Sequence, residues 1–546
     1  MESSRLAVKP LQSESPLSKS KFVHGMQCPL HLWLEMRTDL SQPDPGAFTQ
    51  ALFATGNEVG ELARQRWDRR LASAGRPVGV RITDDHTQHA KAVEDTAAAL
   101  AAGADVIHEA AFTHGGVKVR VDVLERLEDG SFALHEVKST SKYEQTKHLL
   151  DAAVQLWVLR GAGVPVSFVG LVHVNCDYEW PGGEYDLEQI FAEADLTDVA
   201  EAIQESVGID VSRLLRVLGS DELPAVDENV KHKVPYECPY LENCPIIDHS
   251  VEHPIDELPN CQRGKGMHKQ VTDCGYVSLL DLDETEATRL LHKTGDTQVH
   301  PKWFNTWKAT ITGVRIILDE CPQWIRNLEF PIRHLDFETV GAPLPIVLYT
   351  HPFEVVPLQY SIHVEDGDGE PLHLEYIAAP DDPDPRRSLI EHMLADLGES
   401  GDIIHWSAYE RTVINHLATN PLYVDYRKRL EALVPRLKDL GKTVNDWVFD
   451  GGFHGRWSIK KVYPVLVPGG KNDHLDDDES PVITYDDLEG VAKGDEAAIM
   501  LLEYMRSGTQ PERRADIRSQ LLTYCELDTW ATVEVLRVLR QECALE

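Results

Sequence analysis

Asp122, Glu136 and Lys138 have the types and spacing for metal-assisted chemistry in the stretch "VKVRVDVLERLEDGSFALHEVKST". Val117, Val119, Val121 and Val123 alternate with Lys118, Arg120 and Asp122, which is the period of a half-buried strand. Glu128-Asp129-Gly130 supplies a turn. In the return strand Glu136 and Lys138 are two residues apart and share a face, with Lys138 expected on an open strand surface. The hairpin would bring two carboxylates and an amine to one end. Carboxylate oxygens suit Mg²⁺ or Mn²⁺, and a metal there makes hydroxide available near neutral pH. The lysine would position water or phosphate, so the set has what metal-dependent phosphodiester cleavage needs. A solvated strand face with a chance ion pair shows the same alternation.

A second group lies near the C-terminus. "HLDFET" places Asp336 and Glu338 on one face of a strand. "IIHWSAYERTVINHL" reads as a strand followed by Tyr409-Glu410 opening a helix. "LLTYCELDTWATV" puts Tyr524 and Asp528 one helical turn apart on one face. Asp439 in "PRLKDLG" is a reserve acid, and Lys460 and Lys461 in "WSIKKVYPVL" would meet phosphate. The third group is sulfur: Cys28 in "KFVHGMQCPLHLWL", then Cys238 and Cys244 in "HKVPYECPYLENCPIID", with His232 just upstream and Cys261 and Cys274 further on. Three thiolates and an imidazole would bind zinc; buried free thiols are the plain alternative. Cys176, Cys321, Cys525 and Cys543 have no partners by spacing and read as structural.

These residues need a scaffold. Helical patterns span 48–72 and 88–102, the hairpin follows, and a helix over 142–161 leads to the apolar strand "VSFVGLVHV". Residues 190–325 read as mostly helical. From about 326 a strand, a hairpin, a helix–strand–helix run and a long final amphipathic helix follow. The class is α/β, divided as 21–190, 191–325 and 326–546. A chain of 546 residues, 42% hydrophobic and 26% charged, has room for two or three domains. It lacks an apolar run approaching the roughly 18 residues of a membrane span, and its polar, Ser-rich first twenty residues lack a signal-peptide core, so a cytoplasmic protein is expected. The net charge of −37 argues against a broad basic surface and leaves room for a local basic groove.

The hairpin group resembles the PD-(D/E)xK nuclease superfamily, and more narrowly its RecB-like branch, which includes CRISPR adaptation nucleases. That resemblance implies a restriction-endonuclease-like fold with Asp122, Glu136 and Lys138 at the catalytic positions. It places Gln155 of "DAAVQLWVL" on the Gln of a Gln-x-x-x-Tyr motif, with Leu159 in place of the Tyr. Glu109 in "IHEAAF" takes an acidic, metal-side position on the preceding strand. Where the branch often carries a metal-binding His, "TGNEVGELA" has Gly60, with Glu58 and Glu61 beside it. RecB-like nucleases often close their fold with an iron–sulfur cluster; Cys28, Cys238 and Cys244 match that layout, with His232 standing for the fourth ligand and zinc as the alternative metal. The C-terminal group is similar to RNase H-like exonucleases of the DEDD class. There Asp336, Glu338, Glu410 and Asp528 would hold two metals and Tyr524 would orient the attacking water. The joint layout resembles a prokaryotic family fusing a RecB-like nuclease to a DEDD-type domain, linked by a helical cysteine-containing segment. It implies a Mg²⁺- or Mn²⁺-dependent nuclease, exonuclease rather than strict endonuclease, acting on DNA (single strands or ends first, RNA as a further substrate). Work in DNA repair or anti-phage defence, with a protein partner from such a system, follows from the same resemblance. The competing expectation is a non-catalytic nucleic-acid-binding or assembly subunit.

Overall fold

The computed structural model describes residues 8–11, 17–40, 47–84, 86–226, 237–241, 244–247, 249–261, 263–293, 295–296, 298–367, 369–468 and 494–545. The chain forms a mixed α/β structure of two units, Met1–Ile247 with Ala342–Phe353, and Asp248–Gly341 with Glu354–Glu546.

In the first unit β1 (Leu17–Ser18), β2 (Val80–Arg81), β3 (Val106–His114), β4 (Val117–Arg126), β5 (Phe132–Lys138), β6 (Val166–Val174) and β7 (Phe191–Asp195) make one mixed sheet. Its order is β2-β3-β4-β5-β6-β7, with β1 on β4. Gly115 and Gly116, at φ 53° and 82°, turn β3 into β4 as a two-residue hairpin requires. The chain then runs antiparallel into β5, crosses through the helix Gln145–Gly161, and returns parallel as β6. From Leu149 to Leu159 that helix is apolar apart from Asp151 and Gln155, so most of its circumference is buried in the core of this unit. Strand β7 pairs with β6, and Leu196, Ala200, Val207 and Leu214 of the following helices join the same core. The sheet therefore continues past residue 190. The stretch 191–325 is shared between the two units: its first helices complete this core, while Ile255, Leu279, Trp307 and neighbours form a small core in the second unit.

One detail departs from the alternation read in the sequence. Val117, Val119 and Val121 pack in the core that contains the Gln145–Gly161 helix, whereas Val123 packs in another core with Val59, Ala63 and Trp67 of the helix Ala47–Ser73. The cause is local. The β3–β4 ladder is interrupted opposite Asp122, where Glu109 has a left-handed φ of 58°.

In the second unit β8 (Ile316–Ile317) and β14 (Val448–Phe449) form a small ladder. The main sheet has β9 (Ile332–Val340), β10 (Val356–Glu365), β11 (Leu372–Ile377), β12 (Ile403–His405) and β13 (Leu437–Asp439), in the order β11-β10-β9-β12-β13. The first three are antiparallel; β12 and β13 add parallel. The helices Pro385–Asp396 and Tyr409–Thr419 make the crossovers, and the 32-residue helix Pro511–Glu542 lies on β9 and β10.

Candidate functional site

The register of β4 and β5 pairs Val123 with His135, so the next residues along, Asp122 and Glu136, face each other where the strands part. The Val137 N–H fills the gap by donating to Asp122 Oδ2 at 2.7 Å. Glu136 is 1% exposed and fully engaged: Lys19 and Lys138 Nζ lie 2.6 and 2.9 Å from Oε1, and Gln155 Nε2 donates to Oε2 at 2.8 Å. Lys138 also pairs with Asp151 Oδ2 at 2.9 Å, so it is half-buried between two carboxylates and does not stand on an open face. Asp122, Glu136, Lys138 and Gln155 are thus brought together. Burial and then the neighbouring Glu136 push the Asp122 carboxyl up to about 7. Burial would do the same to Glu136, but Lys138 and Lys19 outweigh it and hold Glu136 ionised. Glu109 adjoins Asp122 and pairs with Arg64 at 3.1 Å. Leu159 is wholly buried in the core. Gly60 lies beside Arg64, and Glu61 lines the hollow with Asp122 but is held by Arg64 and Arg81.

The sequence reading passed over Lys19, Asp151 and Arg64. Asp151 left a signal, since it sits one turn before Gln155 on an otherwise apolar helix. Lys19 left none, being 117 residues from its partner. Asp122 and Glu109 line a hollow of about 490 Å³ together with Lys19, Lys21, Lys118 and Arg120, a local gathering of cations in a strongly acidic chain.

In the second unit Asp336 and Glu338 on β9 meet Asp528 and Tyr524 of the last helix and Glu410 of the Tyr409–Thr419 helix. The last helix is held by polar pegs: Thr529 Oγ1 bonds Ser361 Oγ and His363 Nδ1, each at 2.8 Å, Thr532 Oγ1 bonds His334 Nδ1 at 2.8 Å, and Arg540 pairs with Glu365. Gln359 Nε2 donates to the Leu521 carbonyl at 2.8 Å. Burial first, and then Asp528, Glu338 and Glu410, raise the Asp336 carboxyl well above the usual range; burial and Asp528 do the same to Glu338. Glu410 is 3% exposed and lies 3.4 Å from Ser407 Oγ and from His405 Nδ1. Lys460 Nζ donates to Tyr524 Oη at 2.9 Å, while Lys461 is exposed. Burial and the nearby acids raise the Tyr524 phenol, so it stays protonated. Asp439 is instead a helix cap, accepting from the Lys442 N–H at 2.6 Å. Cys525, expected to be structural, has its thiol 3.6 Å from Asp336 Oδ2.

Cys28, Cys238 and Cys244 share one buried cluster with Trp33 and Tyr240. Burial raises the Cys28 and Cys238 thiols. His232 lies outside the described residues. Cys261 packs on the small core of the second unit, Cys274 is exposed, and the free thiol of Cys321 is hydrogen-bonded to that of Cys543.

Residues 333–458 match a domain of unknown function, DUF2779. That span contains Asp336, Glu338 and Glu410 and ends before Lys460, Tyr524 and Asp528. No curated protein matches the chain. A solved structure titled "Crystal structure of SSO0001" is 15% identical, with 41% of this chain and 95% of that chain covered and a TM-score of 0.17. Among the described residues no helix is long and apolar enough to cross a membrane.

Proposed function

We propose that the protein is a metal-dependent nuclease with two centres, one in each unit. The observation that carries this reading is the convergence of Asp336, Glu338, Glu410 and Asp528, from three separate elements, into one buried acidic group. Like charges crowded in this way are costly unless protons or cations compensate them. The four carboxylates offer oxygen donors, with the Cys525 thiol beside Asp336 and Glu338, and suit a hard divalent ion, Mg²⁺ or Mn²⁺, held by Asp336, Glu338, Asp528 and Glu410. Bound there, such an ion would supply charge stabilisation and a hydroxide near neutral pH. Tyr524 remains a phenol, hydrogen-bonded to Asp528 and to Lys460, and is placed to orient a water. The strand order, with three antiparallel strands and two added parallel, supports an RNase H-like DEDD domain.

In the first unit, the antiparallel meander followed by a helix and a parallel strand supports the PD-(D/E)xK reading. Asp122, Glu136 and Glu109 offer oxygen ligands, Gln155 fixes the Glu136 rotamer, and Lys138 is placed to position water or phosphate. The hollow with Lys21, Lys118 and Arg120 suits a polyanion despite the net charge. That Cys28, Cys238 and Cys244 share one buried cluster supports an iron–sulfur cluster or zinc, which would staple the fold. DNA, single-stranded or at ends, is the proposed substrate, with RNA next, in a repair or defence setting alongside a protein partner and in the cytoplasm.

The test is degradation of end-labelled single-stranded DNA and RNA by the purified full chain with Mn²⁺ or Mg²⁺, against a chelator control. Loss of neither polymer under any of these conditions would sink the proposal. One observation favours a binding role for the first centre: Arg64, paired with Glu109, occupies the neighbourhood of Gly60. In that case disabling the second centre alone would end all cleavage while DNA binding persisted.

A further inference from the structure

We propose that His24, His31 and Glu35 form a site for one divalent transition-metal ion of the zinc class, with a ligand set distinct from both carboxylate groups and from the cysteine cluster. His24 stands in the last turn of the helix Lys19–Gln27, and His31 and Glu35 are one turn apart on the next helix, Pro29–Arg37. One ligand atom from each lies within 4.8 Å of the other two. The His24 and His31 rings stack at 4.4 Å, and His24 Nδ1 touches Glu35 Oε2 at 2.9 Å. Ligands of a tetrahedral ion with bonds near 2.05 Å stand about 3.3 Å apart, so closing the set takes only side-chain shifts.

The second observation is His31 itself. It is 4% exposed, and neither ring nitrogen has a hydrogen-bond partner. Burying an imidazole whose ring nitrogens make no hydrogen bond is unfavourable, and a bound cation removes that cost. Burial favours the neutral ring, the form that binds a metal. Two imidazoles and one carboxylate favour Zn²⁺, Co²⁺ or Ni²⁺ over Mg²⁺ or Ca²⁺. Glu35 and His24 are partly open to solvent, which leaves an entry path and room for a water as fourth ligand. The ion would lock the elbow at Cys28, between the helix that supplies Lys19 to Glu136 and the helix that follows.

The experiment counts zinc in the full chain after dialysis against Zn²⁺ with excess Mg²⁺, for wild type, Glu35→Gln, His24→Gln and Cys238→Ser. Glu35→Gln and His24→Gln should each hold one ion fewer than wild type. Cys238→Ser should keep that ion. With Co²⁺ as probe, the ion lost in the first two variants should lack sulfur-to-metal charge-transfer absorption. X-ray absorption of zinc-loaded wild type needs no substitution and should show a nitrogen/oxygen-ligated component. Equal counts in wild type and both variants, or a zinc signal with sulfur ligands alone, would overturn the proposal.

Discussion

At the scale of single residues, the first centre is an ion network and not a row of surface charges. Lys138 bridges Glu136 and Asp151, each nearly buried. Lys138→Ala should therefore cost about 1–3 kcal/mol in urea unfolding, because it leaves Asp151 without its cation; a cost within about 0.5 kcal/mol would mean the network is solvent-screened. The same change should slow cleavage by this centre on the order of 10²-fold or more. In the second centre, Tyr524→Phe removes one hydroxyl and leaves every carboxylate, so it should slow turnover only on the order of 10-fold, while Asp336→Ala abolishes it. Equal losses from the two changes in a steady-state assay would contradict that ranking. Glu136 and Lys138 were legible because the strand period puts them on one face, Asp122 because the hairpin brings it opposite them, and Gln155 only through the resemblance. Lys19 and Arg64 were not, because contacts across such separations depend on helix docking, which no local pattern encodes.

At the scale of elements, the second centre depends on where the final helix sits. Asp336 and Asp528 are far apart in sequence, and the pegs that join them are buried polar pairs. Glu365 is one of these. Burial would raise its pKa, but His334 and Arg540 prevail and hold it at about 2. A depressed carboxyl contributes stability above its unfolded pKa and loses it as pH falls through the folded value. Wild type should thus lose stability between about pH 4.5 and pH 2, and Glu365→Gln should lose less over that window; parallel acid-unfolding curves would show the pair adds nothing. The elements themselves were legible in the sequence: the hairpins, the crossover helices and the long last helix lie close to where periodicity puts them. The place where alternation fails, between Val121 and Val123, is the place where Glu109 takes a left-handed backbone beside Asp122. Period alone gives no sign of such an irregularity, and it is there that a candidate catalytic carboxylate is turned.

At the scale of the whole molecule, each unit contains its own sheet, core and acidic centre. The split near residue 247 was hidden from the sequence because the helical stretch 191–325 has one texture yet feeds two cores. Cys238→Ser should lower iron or zinc content and melting temperature together, since binding at clustered thiols is coupled to folding; unchanged stability with metal lost would separate the two. With a centre in each unit, losses at the two should combine nearly independently. The most direct measurement is a Mn²⁺ time course on end-labelled single-stranded DNA with wild type, Lys138→Ala, Asp336→Ala and the double variant. Asp336→Ala should remove nucleotide-by-nucleotide shortening and leave the cleavage that Lys138→Ala removes, with the double variant inert. Product patterns unchanged in both single variants, or cleavage persisting in the double variant, would contradict this.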